Sequence, residues 1–169
     1  MTTNILDKPC QKTALFNSHQ VLNAKMVPFC GFEMPVSYSD GILSECFAVR
    51  NDVGIFDVSH MGEVFITGSN ALKLLQKVTI NDVSKLNVGQ AQYSAMCYPD
   101  AGIVDDLILY RKSDGFFMVV NAANIQKDFD WISQYVPDDT HLEDISRDIS
   151  LVSLQGPQSR ELLSMFTDI

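Results

Sequence analysis

The sequence has no long uninterrupted apolar run and few basic residues. None of its apolar segments approaches the roughly 20 residues that cross a bilayer, and the N-terminus, "MTTNILDKPCQKT", lacks the features of a signal or transit peptide. Only 12 Lys and Arg oppose 21 Asp and Glu, and the basic residues are scattered. Nucleic acids bind clustered cations. We therefore expect a soluble cytoplasmic protein that contacts neither nucleic acid nor membrane.

Cysteine pairs at metal-binding spacing are also absent. The four cysteines, Cys10, Cys30, Cys46 and Cys97, show no CxxC spacing and lie among apolar neighbours. We expect free, buried thiols rather than disulfides or zinc ligands. The sequence contains no GxGxxG, Walker loop or HExxH, so nucleotide, phosphate-loop and zincin chemistries lack their usual residues. We expect no metal in this protein.

The first fifty residues predict short, mixed elements. A helix is expected over "FNSHQVLNAKM", followed by strand fragments and turns in "VPFCGFEMPVSYSDG", which is rich in Gly and Pro. A second helix is expected in "SECFAVRNDVG", where Ser44 can cap the N-terminus and Gly54 can end the run.

The remainder predicts an alternation of strands and helices. "EVFITG" reads as a strand, and the helix "SNALKLLQKVT" opens at a capping Ser69 or Asn70. "QAQYSAMCY" and "GIVDDLILYR" predict two strands, and the pair Asp114-Gly115 predicts a hairpin into "FFMVVN". "NIQKDFDWISQYV" predicts an amphipathic helix, because its apolar residues recur at helical intervals.

The C-terminal part completes this pattern. After a polar linker at "PDDTHLEDISRD", "ISLVSLQG" predicts a strand and "PQSRELLSMF" a helix with Pro157 in its first turn. The order β-α-β-β-β-α-β predicts an α+β fold, with a mixed or antiparallel sheet of split βαβ (ferredoxin-like) character and helices on one face.

Two adjacent acids stand in an apolar strand. Strand alternation separates them: one face carries Val104, Asp106, Ile108 and Tyr110, and the other carries Ile103, Asp105, Leu107 and Leu109. Only one acid can therefore line a cleft, and Asp106 shares its face with the polar tip of Tyr110. From the residues alone, the favoured interpretation is that one Asp caps a turn and the other is solvated at an edge.

Other polar residues also allow two interpretations. Asn121 ends a strand, where its amide can cap the next helix or bind a ligand, and capping is the favoured interpretation. In "GIFDVSHMGE", Asp57, Ser59 and His60 are too close in sequence for a catalytic triad, so we favour a turn whose side chains bond to their own backbone. His19 and His141 are isolated in polar surroundings and indicate no site.

Several motifs, taken in order, resemble a known family. They are "KMVPFCGFEMPVSYSDGI", "AVRNDVGIFDVSHMGE", "TINDVSKLNVGQAQYSAMCYPDAGIVDDLILY", "VVNAANIQKDFDWI" and "LQGPQSRELL". Together they resemble the N-terminal half of the aminomethyltransferase family, the T-proteins of the glycine cleavage system. The resemblance implies a folate-binding aminomethyltransferase-like fold. Residues 1–50 would begin the first domain, 51–146 would form a ferredoxin-like folate-binding domain, and 147–169 would start the return into the first domain.

The resemblance also implies an activity. Family members transfer a methylene group from the aminomethyl-dihydrolipoyl arm of the H-protein to tetrahydrofolate and release ammonia, without a metal. The catalytic carboxylate of the family falls on Asp106, beside the pterin. The resemblance further places Met61, Tyr93, Tyr110 and Asn121 in the folate pocket. Asp105 would then be structural, and the complete protein is expected to be a monomer.

Some positions depart from the family pattern, and two alternatives remain. "CGFEMP" replaces the more usual "AGWEMP", and Ala101 stands where Gly is common. Family chains continue through a second half that completes the folate site, so we expect this chain to be an N-terminal fragment. The alternatives are the folate domain of a sarcosine or dimethylglycine dehydrogenase and a non-catalytic folate-binding relative. Missing flavin motifs argue against the former, and the retained "DDLILY" and "VVNAAN" argue against the latter.

Overall fold

The computed structural model of the chain describes residues 9–168. Residues 1–8 and 169, which begin and end the predicted segments 1–50 and 147–169, lie outside the described residues. Two compact units are present: unit 1 comprises the residues up to His60 and those from Ser150 onwards, and unit 2 comprises Met61–Ile149. The assignment of these stretches to particular domains of the family stays a prediction.

Ten strands and five α-helices alternate along the described residues. In chain order they are β1 (Gln11–Lys12), α1 (Phe16–Val21), β2 (Lys25–Phe29), β3 (Phe32–Ser37), α2 (Ile42–Asn51), β4 (Gly54–Asp57), β5 (Gly62–Gly68), α3 (Ala71–Val78), β6 (Ala91–Cys97), β7 (Ile103–Arg111), β8 (Phe116–Val120), α4 (Ile125–Ser133), β9 (Thr140–Asp144), β10 (Val152–Gln155) and α5 (Ser159–Ser164). Short 3-10 turns occupy Val83–Lys85 and Ala122–Asn124. No helix of the described part is long and apolar enough to span a membrane.

Unit 2 is built on one five-stranded antiparallel sheet. Its strand order is β6-β7-β8-β5-β9, and every neighbouring pair is antiparallel. Strands β5 and β7 therefore run in the same direction with β8 between them, which is the split βαβ arrangement. The predicted α+β fold with ferredoxin-like character is confirmed.

The core of unit 2 lies between one face of this sheet and two helices. Val64 and Ile66 of β5 and Met118 and Val120 of β8 are buried in one cluster with Leu74, Leu75, Ile132 and inward residues of β7. Apolar residues of α3 recur at helical spacing and those of the strands at every second position, so each element turns one apolar face inward. The helices thus lie on one face of the sheet, as expected.

Unit 1 contains two small sheets. One has the order β1-β3-β2 and the other pairs β10 with β4. The hairpin between β2 and β3 turns at Cys30 and Gly31, whose φ values of 48° and 82° lie in the left-handed region. Glycine adopts that region readily and cysteine rarely does, so the turn is strained at Cys30.

Several predicted element boundaries in unit 1 are wrong. The first helix stops at Val21, and Lys25 and Met26 instead begin β2. Ser44 lies inside α2, because Gly41 occupies the N-cap position. Pro157 precedes α5 rather than joining its first turn. Local propensity sets an element's type more reliably than its ends, which depend on hydrogen bonds to distant strands.

The predicted position of the last strand in the β-α-β-β-β-α-β pattern is also wrong. The segment expected to be a polar linker contains β9, which pairs with β5 at the edge of the unit 2 sheet. The predicted last strand is β10, and it pairs with β4 in a different sheet. An edge strand needs only one buried face and carries many charges, so its sequence resembles that of a loop.

A β-bulge changes the faces of strand β7. Met96 pairs with Asp105 and the next residue, Cys97, pairs with Ile103, so Val104 is an extra residue in the ladder. Val104 is buried in the core and Ile103 is 71% exposed, the reverse of the predicted assignment. A single inserted residue shifts the alternation of every residue before it. The predicted faces hold only from Asp105 onwards.

The cysteines are free, but their predicted burial is wrong. Cys30 and Cys46 are exposed, and Cys10 and Cys97 are partly buried. Their apolar neighbours in sequence do not surround them in space.

Candidate functional site

Asp106 lies on the face of the unit 2 sheet opposite the helices. It is half-buried and pairs with Ala95 of β6. Two residues away, Tyr93 pairs with Ile108, and the Tyr93 hydroxyl donates a 2.7 Å hydrogen bond to Asp106 Oδ2. This hydrogen bond and the charge of Asp106 raise the pKa of Tyr93. The tyrosine therefore stays protonated, and its hydroxyl donates to the carboxylate from the solvent-exposed side.

Asn121 holds the same carboxylate from the other side. It follows β8, and its Nδ2 donates to Asp106 Oδ1 at 2.8 Å and to Asp105 Oδ1 at 3.0 Å. It occupies the N-cap position of the 3-10 turn but makes no side-chain cap bond. The capping interpretation is therefore wrong. Because the amide nitrogen is engaged, the group that Asn121 can offer a ligand is its Oδ1 acceptor.

Asp105 is buried on the helix side of β7. It is 8% exposed and accepts bonds from Asn121 and from Asn124 Nδ2, the latter at 3.0 Å. Burial alone would raise its pKa, but hydrogen bonds from Asp128 and two asparagine amides outweigh burial and lower it. The interpretation of a turn-capping Asp beside a solvated Asp is therefore wrong. Both acids belong to one hydrogen-bonded network.

Met61 and Tyr110 lie at the two ends of this surface. Met61 precedes β5, and because Gly62 pairs with Val120, it stands beside Asn121 where the two strands end. Tyr110 is four residues beyond Asp106 on β7, about 13 Å along the strand. Its ring contacts Phe117 with 5.9 Å between centroids. Tyr93 and Asn121 thus each bond directly to Asp106, whereas Tyr110 shares only their face of the sheet.

A second acid belongs to the same face. Cross-strand pairing aligns Glu63, Val119, Ile108 and Tyr93 in one row, and paired residues project to the same side. Glu63 is fully buried, and neither of its side-chain oxygens meets a donor among the described residues. Burial, followed by the charge of Asp144, raises the pKa of Glu63 to about 7.

Two residues of the network were missed by sequence reasoning. Asn124 bonds to Asp105, and Asp128 is fully buried beside it. A signal for Asp128 was present, because it lies three residues after Ile125 and four before Ile132, on the apolar face of α4. An acid on an apolar helix face needs a partner.

A separate polar cluster lies in unit 1 around Asp57. Its Oδ2 accepts from Thr13 Oγ1 at 2.6 Å and from His19 Nε2 at 2.9 Å, and His19 Nδ1 lies 2.8 Å from the Tyr38 hydroxyl. The expectation that His19 is isolated in polar surroundings is therefore wrong, since it is buried and bonded to Tyr38 and Asp57. Burial would raise the pKa of Asp57, but its hydrogen bonds lower it.

The "FDVSH" segment forms a turn, as expected. Ser59 N donates to Asp57 Oδ1 at 3.0 Å, and Ser59 Oγ donates to the Leu151 carbonyl rather than to a histidine. His60 packs edge-on against Phe29 and Phe32. The serine is therefore not activated as a nucleophile. Within residues 9–168, His, Cys, Asp and Glu side chains form no group placed to hold a metal ion.

Comparisons with known proteins agree on one family. A family model described as the GCVT N-terminal domain matches residues 15–169. An aminomethyltransferase of Chloroherpeton thalassium is 53% identical over 159 residues, covering 93% of this chain and 44% of that protein. One from Flavobacterium psychrophilum is 51% identical, covering 94% and 44%.

A solved structure gives the same result. The crystal structure of glycine cleavage system aminomethyltransferase T from Bartonella henselae matches with a TM-score of 0.86 and 33% identity, over 92% of this chain and 43% of that one. The chain therefore spans less than half the length of the relatives that it matches.

Proposed function

This chain belongs to the GCVT N-terminal domain family, and we propose that it supplies the folate-binding half of a tetrahydrofolate-dependent aminomethyltransferase of the glycine cleavage system. The substrates are an aminomethyl group on the dihydrolipoyl arm of the H-protein and tetrahydrofolate. The products are 5,10-methylenetetrahydrofolate, ammonia and the free dihydrolipoyl arm. The expected monomeric state and cytoplasmic location stay predictions.

The observation that carries this proposal is the fixed carboxylate of Asp106. It accepts bonds from Tyr93 on one oxygen and from Asn121 on the other. A half-buried carboxylate held by two donors is preorganised, so it stabilises positive charge without rearranging during the reaction. That charge develops on the transferred carbon and nitrogen when the carbon–sulfur bond breaks.

The surroundings of Asp106 suit a flat heterocycle. Tyr93 and Ile108 form a cross-strand pair beside Asp106, and both present exposed apolar surface. Aromatic and apolar faces of this kind stack on conjugated rings. Asn121 Oδ1 and the Asp106 carboxylate are acceptors for ring or amine N–H groups. In the proposed mechanism, Asp106 orients the folate amine that attacks the methylene carbon.

The test replaces Asp106 in the complete protein that contains this chain. For Asp106→Asn we expect methylene transfer to fall about a hundredfold or more, since one preorganised charge is worth roughly 2–4 kcal/mol in the barrier. Tetrahydrofolate affinity, measured by calorimetry, should change far less. The transfer rate is measured with aminomethylated H-protein.

A matched control is Asp114→Asn, which changes an exposed acid in the β7–β8 turn. It should leave both quantities unchanged. Equal losses of rate and affinity in Asp106→Asn would remove the catalytic role. Tetrahydrofolate binding without any transfer in the wild-type protein would instead favour a non-catalytic folate-binding relative.

A further inference from the structure

Asp128 is a fully buried acid that the proposed mechanism does not use. It lies on the inward face of α4, on the same side as Ile125, Phe129 and Ile132. Its side chain is 0% exposed, and among the described residues no donor reaches either of its oxygens. An ionised carboxylate in that position would be costly, because burial removes water and nothing replaces it.

The neighbouring lysine does not supply the missing donor. Lys127 Nζ donates to the Val104 carbonyl at 2.6 Å and lies 3.8 Å from Asp128 Oδ1, beyond hydrogen-bonding distance. The charged groups that act on Asp128 are therefore Asp105 and Asp106 from β7 and Lys127 from its own helix. Two of these three are anions.

Asp105 is the partner of Asp128, although both side chains are acids. Asn124 Nδ2 donates to Asp105 Oδ2, and Asp128 lies one turn further along α4, so the helix places its carboxyl group beside that of Asp105. Their interaction raises the pKa of Asp128 and lowers that of Asp105. Two carboxylates cannot bond to each other, but a carboxylic acid donates well to a carboxylate. Asp105 already accepts from Asn121 and Asn124, which favours the negative charge on Asp105. The shared proton therefore resides on Asp128.

From this geometry we propose that Asp128 is a positioning residue for Asp106: as a neutral carboxylic acid it donates a hydrogen bond to Asp105 and so fixes the carboxylate that holds Asn121 against Asp106. The network then runs from Asp128 to Asp105, through the two hydrogens of the Asn121 amide, to Asp106 and Tyr93. Each step has a donor and an acceptor. Its effect on catalysis rests on the proposed function, whereas the protonation of Asp128 does not.

The protonation has a consequence for pH. Burial, and then the hydrogen bond and charge of Asp105, raise the pKa of Asp128 to about 8. Above that pH Asp128 ionises beside Asp105, and repulsion between the two buried charges opens the network. Asp106 should therefore lose its fixed position as the pH rises through about 8.

Infrared difference spectroscopy tests the protonation directly. A carboxylic acid has a C=O stretch that is separate from the bands of carboxylates. Glu63, whose pKa is about 7, would add an acid band of its own, so the measurement is made in a Glu63→Gln background. We expect the band at pH 7 in that background and its loss when Asp128→Asn is added. Asp130→Asn is the matched control, because Asp130 is an exposed acid two residues further along α4. An unchanged acid band in Asp128→Asn would overturn the proposal.

Kinetics of the complete protein test the positioning role. Asp128→Asn keeps a donor towards Asp105, so its kcat at pH 7 should stay within about threefold of wild type, and it should lose the decline above about pH 8. Asp128→Leu has no donor, and its kcat should fall about tenfold with little change in the KM for tetrahydrofolate.

The outcomes separate this inference from the function on which it depends. If Asp128→Leu fails to fold, the pH profile of Asp128→Asn still decides, and a profile identical to that of wild type overturns the positioning role. If the wild-type protein shows no methylene transfer, the proposed function fails, and the infrared bands still decide the protonation of Asp128.

Discussion

The two compact units of this chain bury apolar side chains to very different extents. Unit 2 packs β5, β7 and β8 against two helices in one continuous cluster. In unit 1, Phe16 and Met34 are the buried apolar side chains of the described residues, while Leu43, Phe47 and Phe166 are more than 60% exposed. Burial of apolar surface is the main stabilising contribution to folding. Unit 2 therefore has an extensive apolar core of its own, whereas the folded structure of unit 1 depends more on polar contacts.

Two buried acids of unit 2 also differ from the buried acid of unit 1 in the donors that reach them, whereas Asp105 of unit 2 receives asparagine amides and resembles Asp57. Asp57 in unit 1 is fully buried and receives donors from Thr13, His19 and the backbone of Ser59, so it stays ionised. Glu63 and Asp128 in unit 2 have no donors among the described residues, and their pKa values rise to about 7 and about 8. A buried carboxylate keeps its charge where donors surround it and keeps its proton where they do not. Substitutions in the two units, at apolar side chains, at buried acids and at Tyr93, test these two comparisons.

The largest effect is expected from the core of unit 2. Leu74→Ala removes a side chain that is 1% exposed, and it should lower the free energy of unfolding of unit 2 by about 3 kcal/mol or more. Leu43→Ala in α2 of unit 1 changes a side chain that is 76% exposed, and it should cost about 0.5 kcal/mol or less. Amide hydrogen exchange, read separately for each unit, measures both. Equal losses of stability in Leu74→Ala and Leu43→Ala would contradict the conclusion that unit 2 has the larger apolar core.

Asp57→Asn should have the next largest effect, on unit 1. The amide nitrogen of Asn is a donor, and it would face Thr13 and His19, which are donors to Asp57 as well. The substitution should therefore lower the free energy of unfolding by about 2 kcal/mol at pH 7. The lowered pKa of Asp57 means that the unfolded chain takes up the proton at a higher pH than the folded chain. Wild-type stability is therefore present above the unfolded pKa and falls as the pH drops towards the folded value.

Denaturation of unit 1 as a function of pH checks this prediction, with the exposed Asp40→Asn as the control. The acid-dependent loss should be smaller in Asp57→Asn than in wild type. If both variants keep the wild-type acid profile, the donors around Asp57 do not hold its charge.

Glu63→Gln should stabilise unit 2 in a pH-dependent way. The pKa of Glu63 is about 7 when folded and 4.5 ordinarily, so stability is fully present below about pH 4.5 and is lost as the pH rises through about 7. Glu63→Gln removes this loss, and the difference in free energy of unfolding between Glu63→Gln and wild type should grow by about 2 kcal/mol between pH 5 and pH 8.

Trp131, the only tryptophan of the chain, lies in unit 2 and reports this unfolding by fluorescence. Glu143→Gln, an exposed acid on β9, serves as the control and should show no such trend. A constant difference between Glu63→Gln and wild type at all pH values would mean that Glu63 is ionised in the folded protein.

Tyr93→Phe should have the smallest effect on stability. It removes one donor to Asp106 at a position that is 68% exposed, and water can replace that donor. The free energy of unfolding of unit 2, read from Trp131 fluorescence, should change by less than about 0.5 kcal/mol. A larger loss would show that the exposed end of the network is as important to folding as its buried end.

Much of the fold of unit 2 could be predicted from the sequence. The first six elements of the predicted order, β-α-β-β-β-α, and the helices on one face are confirmed, whereas the predicted last strand belongs to a different sheet in unit 1. The prediction missed β9 because its sequence, "THLED", has one apolar residue and resembles a polar linker. It also misassigned Ile103 and Val104, because the bulge depends on how β6 pairs with β7, which the sequence of β7 alone does not contain.

The site was predicted only in part. Strand alternation separated Asp105 from Asp106, and the structure places them on opposite faces of β7. The favoured capping role of Asn121 was wrong, because a local preference for capping competes with two acceptors on a neighbouring strand. The contact between His19 and Asp57 is not predictable from local sequence, because the two residues are 38 positions apart.

The sequence by itself determined the periodicity of each element, and therefore which residues share a face where the element is regular and that the two acids of the pair face opposite sides. Periodicity depends on backbone geometry, which is local. Only the tertiary structure decided the protonation of the acids. Charge depends on the donors that reach a carboxylate, and in this chain those donors come from residues distant in sequence: Thr13 and His19 for Asp57, two asparagines for Asp105, and none among the described residues for Asp128.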